Sequence, residues 1–276
     1  MSALRLDRTI LRLSGPDARP FLDNLITQNL ERLTNKPVYG GLLSPQGKAQ
    51  ADFFIWPQAD DGLLLEADPA RGADLFRRLS MFKLRAAVTI DDESAAYAVV
   101  AGFDDTPEGA AADPRLAALG WRKIVPAAEA EAIVRDDMRY AAHRIACGVP
   151  DLAIDAAAEE VFALEALFEE LNGVDFKKGC FVGQENVSRM KRRATTRKKF
   201  CPIAFEGAAP APMTPITAGG VEFGSVRSGI DGFAIALLRL DRVTEALAQG
   251  KTLDAGGKLV TLAPPSWLLM PAKEDA

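Results

Sequence analysis

The chain changes character at about residue 199. Beyond it, short apolar runs at 202–205, 221–226, 233–238 and 258–262 are separated by Gly and Pro. That spacing predicts an all-β C-terminal domain, a small barrel or sandwich, over 200–276. Before it, helix and strand periodicities are mixed. Alternation over 4–13 predicts a strand, and short apolar runs over 38–43, 50–56, 62–67, 86–90 and 97–101 read as others, with a turn at Ser44-Pro45-Gln46-Gly47-Lys48. Apolar residues at helical spacing predict helices over 16–33, 69–82, 129–147 and 159–172, the last stopped at Asn172-Gly173. Asp113-Pro114 has the form of a further helix start. Two or three domains or subdomains are expected from 276 residues.

A hydrophobic fraction of 48% and a charged fraction of 26% suit a soluble globular protein. No stretch of about 18 uncharged apolar residues is present, so no membrane span is expected. Charges interrupt the N-terminus at once, which rules out a secretory apolar core and leads to the expectation of a cytoplasmic protein. Three cysteines (Cys147, Cys180 and Cys201) without CxxC spacing argue against a disulfide framework or a zinc site. The single histidine, His143, excludes a multi-histidine metal centre. There is no phosphate-binding P-loop and no dinucleotide-binding glycine fingerprint, so ATP and NAD chemistry have no basis in the sequence.

The densest chemistry lies in Lys177-Lys178-Gly179-Cys180-Phe181-Val182-Gly183-Gln184-Glu185. A thiol reacts or ligates as thiolate, and nearby cations favour that form, so Cys180 beside two lysines is a candidate functional thiol. Its alternative is a buried small hydrophobe. Gln184 and Glu185 offer matched donors and acceptors for a planar heterocycle, or Glu185 simply pairs with Arg189 four residues on. Asp52, at the head of the apolar run Phe53-Phe54-Ile55-Trp56, is either a desolvated acid with a raised pKa or an edge acid facing water. Lys48 can neutralise it or hold a ligand carboxylate. Residues 186–199 carry seven cations and no acid in a chain of net charge −5, leaving −12 elsewhere. Such asymmetry points to an anionic partner or to a solvated loop.

These residues carry a resemblance. Lys178 to Glu185 is similar to the K-G-C-[YF]-x-G-Q-E signature of the YgfZ-type folate-binding proteins, relatives of the mitochondrial Iba-type iron–sulfur assembly factor. Ser14-Gly15-Pro16-Asp17-Ala18 with Phe21-Leu22, Leu42 to Lys48, Leu84-Arg85-Ala86, Gly148-Val149-Pro150, Asn172 to Phe176 and the segment from Gly219-Gly220 to Leu238 match further family segments. The family shares its fold with the T-protein (aminomethyltransferase) of glycine cleavage. The resemblance implies an α+β fold, a ring of two intertwined α/β subdomains (about 1–45 with 100–199, and about 46–99) plus a C-terminal β-barrel, around a cavity for tetrahydrofolate. It implies a folate-binding accessory factor for assembly or repair of [4Fe–4S] proteins, some of them tRNA-modifying enzymes, with iron–sulfur client or assembly proteins as partners. Cys180 is then the functional thiol, and Lys48, Asp52, Lys178, Gly179, Gln184, Glu185 and Arg189 are the expected cofactor contacts. The T-protein uses an acid within G-G-x-x-D-D, where this chain reads Gly47-Lys48-Ala49-Gln50-Ala51-Asp52. That departure counts against a classical aminomethyltransferase and makes Asp52 the weaker catalytic candidate. Folate-dependent transfer or demethylation, and RNA binding through 186–199, are the alternatives. The RNA reading is the weaker of the two, because the run has no interleaved aromatics for stacking. No resident metal is expected, since a permanent cluster needs about four thiolates.

Overall fold

The computed structural model describes residues 3–193 and 196–271. Strands in chain order are β1 (Leu4–Leu6), β2 (Thr9–Ser14), β3 (Val38–Leu43), β4 (Ala49–Pro57), β5 (Leu63–Ala67), β6 (Thr89–Asp92), β7 (Tyr97–Gly102), β8 (Ala111–Ala112) and β9 (Trp121–Pro126). The C-terminal strands are β10 (Lys198–Ala204), β11 (Pro215–Ala218), β12 (Val221–Ile230), β13 (Phe233–Arg239), β14 (Leu253–Ala255) and β15 (Lys258–Leu262). Helices are α1 (Ala18–Leu25), α2 (Pro69–Lys83), α3 (Asp137–Ala146), α4 (Leu152–Asp155), α5 (Gln184–Arg193) and α6 (Leu240–Ala248).

Three sheets result. One has five strands in the order β3-β4-β5-β2-β6, one has four in the order β1-β7-β9-β8, and β10-β13-β12-β11-β14-β15 close into a barrel. The first 199 residues contribute two of these sheets. β3 pairs with β4 across residue 45, with Gly41 opposite Asp52, while β1 leaves its sequence neighbours to pair with β7.

Side chains alternate across a strand, so the five-stranded sheet has two faces of different content. One face buries Leu11, Leu13, Ala51, Phe53, Ile55, Leu63 and Leu65 against α1 and α2. The other carries Ile10, Tyr39, Phe54, Trp56 and Leu64 into the large central core. Asp52 lies on β4 two residues from Phe54 and therefore shares this inner face. α2 begins where Asp68 accepts a hydrogen bond from the Ala70 amide and Pro69 takes the first turn.

Several expected helices are shorter or missing, each because a tertiary contact outweighs local periodicity. The helix expected over 16–33 ends at Leu25, since Ile26 turns extended and bridges Leu42. The one expected over 129–147 reduces to a 3-10 turn and α3, capped by Asp136 on the Arg139 amide. Asp113-Pro114 leads only to a 3-10 turn at Ala117–Leu119. Residues 159–172 form a series of turns, with Glu159, Leu167 and Asn172 at positive φ. There Ala49 and Ala163 donate their amides to Val161 and Gly47, so β4 competes for the backbone groups a helix would pair internally.

Candidate functional site

The loop 174–183 is fastened from beneath. Asp175 is buried, accepts from the Lys177 amide and pairs with Arg32 at 2.9 Å. Lys178 runs inward. Its ammonium donates to the carbonyls of Asp23 (2.5 Å), Ile26 (3.1 Å) and Gln28 (2.8 Å), with the Asp23 carboxylate 3.2 Å away. Burial pushes its pKa down, against the pull of Asp23. Three donors meeting three carbonyls make Lys178 a structural anchor, which corrects its expected role as a cofactor contact and as an activator of the neighbouring thiol.

Gly183 locks the other end. At φ +83° its α-carbon faces the Ser44–Lys48 turn, and a Cβ there would lie 2.6 Å from the Ser44 carbonyl oxygen and 2.9 Å from the Gly47 Cα. Asn186 donates from Nδ2 to the Gln46 carbonyl at 2.7 Å. Two motifs some 140 residues apart thus form one unit. Gly183→Ala is expected to cost about 2 kcal/mol in urea unfolding, through positive φ plus overlap.

Cys180 stands on this platform as an exposed free thiol, while Cys147 is partly covered and Cys201 is buried in β10, its pKa pushed up to about 12 by desolvation. Gly179 beside it is open, with nothing within 4 Å of an added Cβ. Gln184 begins α5 and donates back to the Gly179 carbonyl at 3.0 Å, so its side chain fixes the loop. Glu185 is exposed in the first turn of α5, where the helix dipole favours an acid. Arg189 bonds Asn186 Oδ1 at 2.5 Å. Lys48 is half-buried, its ammonium 5.7 Å above the Phe162 ring.

Asp52 belongs to a different constellation. It lies four residues along the strand from Lys48, roughly 13 Å away. Its Oδ2 accepts from the Tyr39 hydroxyl at 2.9 Å. Arg8, Phe54, Glu66, Asp68, Arg115 and Asp151 join it around a narrow cleft with about 10 Å³ of enclosed space. Arg115 is clamped by Asp113 (2.8 and 3.0 Å) and by the Tyr140 hydroxyl (2.8 Å), and Arg122 lies 3.5 Å above the Phe54 ring. Burial, then the nearby Asp151 charge, push the Asp52 pKa up to about 6. Burial acts on Asp151 in the same sense, but Arg144 and Arg8 outweigh it and hold that carboxyl below its usual value. Because Asp52 binds its proton more tightly folded than unfolded, its contribution is full below about pH 4 and is lost as pH rises through 6. Asp52→Asn is expected to remove about 2 kcal/mol of this pH dependence, discounted for its partly exposed edge and read from thermal melts between pH 4 and 7.

The structure therefore separates the expected site residues. Lys48, Gly179, Cys180, Gln184, Glu185 and Arg189 gather around the locked loops, and Asp52 sits in the cleft. The cleft's other charged members were not legible in the sequence. Arg115 directly follows Asp113-Pro114, and Asp151 follows Gly148-Val149-Pro150 and caps α4, but neither motif points to a shared cleft with Arg8. The basic run is also split. Lys191 pairs with Glu169, while Lys199 is buried on Glu170 (2.5 Å) and the Leu269 carbonyl (2.9 Å).

Residues 197–269 match the family model of the CAF17 C-terminal β-barrel domain. Over the whole chain, the solved aminomethyltransferase T of the glycine cleavage system from Bartonella henselae is similar at a TM-score of 0.74 with 13% identity, covering 97% of this chain and 86% of that one, a likeness of fold alone. Among curated proteins, the mitochondrial iron–sulfur cluster assembly factor IBA57 of Mus musculus is 31% identical over 99% of this chain and 87% of its own length. The human protein is 30% identical over 96% and 85%. The Mycosarcoma maydis homolog is 33% identical over 76% of this chain, which spans 58% of that longer protein. All three are described as mitochondrial, which overturns the expectation of a cytoplasmic chain. That expectation rested on the missing apolar secretory core, whereas mitochondrial addresses are amphipathic and Arg-rich. Similarity on this scale, running through both the α/β region and the barrel, shows that the chain belongs to the IBA57 family of iron–sulfur cluster assembly factors.

Proposed function

We propose that this chain supports the assembly or repair of [4Fe–4S] proteins, tRNA-modifying enzymes among them, with Cys180 as the thiol that meets iron or sulfur transiently and a tetrahydrofolate as bound cofactor. The observation that carries this reading is the display of Cys180. It is the exposed one of three free thiols, on a loop locked by Lys178 below and Gly183 behind. One exposed thiol supplies one ligand where a resident cluster takes about four, so the contact is a shared and passing one. The test is a strain lacking its own copy of the gene, in which this chain is expected to restore [4Fe–4S] enzyme activity. No restoration by the wild-type chain would remove the reading.

The cleft at Asp52 fits the polar edge of a pterin. Arg8 Nε and Glu66 Oε1 form an ion pair at 3.6 Å there, and Asp52 accepting from Tyr39 adds a second donor–acceptor pair. The enclosed space is about 10 Å³, enough for one water, so entry of the ring requires the cleft to open. The folate carboxylates are assigned to Lys48 and Arg189. Bound, a reduced folate supplies one-carbon chemistry. The chain's own residues orient the ring and hold a proton at Asp52. Calorimetry with tetrahydrofolate is expected to show one site per chain, lost in Asp52→Asn and weakened in Glu185→Ala. No heat with the wild-type protein would remove folate from the account.

Folate-dependent aminomethyl transfer is a second reading, favoured by one observation. A carboxyl with a pKa raised to about 6 beside Tyr39 exchanges a proton near neutral pH, as a general base must. Formation of methylene-tetrahydrofolate from an aminomethyl donor, dependent on Asp52, would decide for it.

A further inference from the structure

α5 carries charge that the Cys180 loop does not use. Its buried residue is Val187, and Arg189, Arg192 and Arg193 are all exposed. At 100° per residue these three fall on the flank opposite Val187. Arg189 is tethered to Asn186, but Arg192 bonds only the Ser188 carbonyl of its own helix, at 3.4 Å, and neither Arg192 nor Arg193 meets a carboxylate among the described residues. Lys191, on the other flank, pairs with Glu169 and lies 5.6 Å over the Phe176 ring, which places that 40% exposed ring beside α5. The Gln184 bond to the Gly179 carbonyl ties the start of the helix to the Cys180 loop.

We propose that Arg192 and Arg193, with Phe176 at the edge, form the docking surface for an acidic face of the protein partner that brings an iron–sulfur cluster to Cys180. This rests on the proposed role of Cys180 and names the chemistry of its partner. Two guanidinium groups with no carboxylate partner among the described residues, on a chain of net charge −5, are a local positive potential in a negative field. Such a patch orients an acidic partner and repels an approach at other faces. Iron–sulfur clusters held by thiolates are themselves anionic, so the same cations favour the cargo. A long RNA fits less well. α5 spans about 15 Å, the chain as a whole is net acidic, and the exposed aromatic at its edge is already capped by Lys191.

The test uses the full chain in the strain lacking its own copy. Arg192→Glu/Arg193→Glu is expected to lower restored [4Fe–4S] enzyme activity at least tenfold, while Arg192→Lys/Arg193→Lys retains more than half. The melting temperature, alkylation of Cys180 by iodoacetamide and tetrahydrofolate affinity are expected to stay at wild-type values in both. Full activity of the glutamate variant overturns the docking surface while leaving the role of Cys180 standing, because Cys180→Ala is scored alongside. Loss of tetrahydrofolate binding in the glutamate variant reassigns the arginines to the folate carboxylates and overturns it too. So does retention of a 30-nucleotide single-stranded RNA on filters at 50 mM salt by the wild-type chain but not by the variant.

Discussion

Lys178→Met is expected to destabilise the protein by about 4 kcal/mol, measured as the shift in urea unfolding free energy. The methionine keeps the length and most of the apolar stem, so the loss comes from the head group. Without it the carbonyls of Asp23, Ile26 and Gln28 lose their donor, and two of the three bonds are buried. Each unpaired buried acceptor costs roughly 1–3 kcal/mol, and recovery of the lysine's own desolvation cost offsets part of the total. The Lys178 ammonium joins the segment 26–29 to the Cys180 loop beside the Asp175 amide, which donates to the Thr27 carbonyl at 3.0 Å. The variant is therefore also expected to raise amide exchange at residues 177–183 well above that of the barrel. A change under 1 kcal/mol would show that the loop is held elsewhere.

Lys178 also marks where reading the sequence stops short. A lysine beside a cysteine suggests charge near a thiol, but which way a side chain points depends on carbonyls about 150 residues away, and no local pattern encodes them. The strands β3, β4, β5 and β7 were legible as short apolar runs bounded by turn residues, a local signal. Period-2 geometry put Asp52 on the face of Phe54 and Trp56, and of its two readings, desolvated or facing water, its burial favours the first. Residues 159–172 failed for the opposite reason. Val161, Leu164, Leu167, Phe168 and Leu171 are buried and fall at helical spacing, yet β4 and the Gly47 carbonyl take their backbone partners. α5 was hidden by its composition, since a run rich in arginine and lysine with a single buried residue reads as solvated loop. The match between Gly183 and the Gly47 turn needed coordinates, although both glycines sit in recognisable motifs.

Cys180→Ala carries the largest expected functional effect. The side chain is exposed and alanine keeps its Cβ, so the unfolding free energy is expected to move by less than about 0.5 kcal/mol. Tetrahydrofolate affinity is expected to be unchanged, because the contacts assigned to the folate are Asp52, Lys48, Glu185 and Arg189 and not the Cys180 thiol. Only the thiol is removed, together with the chemistry a thiolate performs on iron or sulfur. Iodoacetamide is expected to label Cys180 first in the native wild-type protein, Cys147 more slowly and Cys201 only on unfolding. Burial raises the pKa of both slower thiols, with Asp113 adding to the shift at Cys147.

The decisive measurement compares Cys147→Ala, Cys180→Ala and Cys201→Ala chains, expressed at equal levels in a strain lacking its own copy, by the activity of a [4Fe–4S] enzyme in extracts. The account predicts activity at the empty-vector level for Cys180→Ala and activity near wild type for Cys147→Ala, with any loss in Cys201→Ala tracking its stability. Wild-type activity from Cys180→Ala would contradict it.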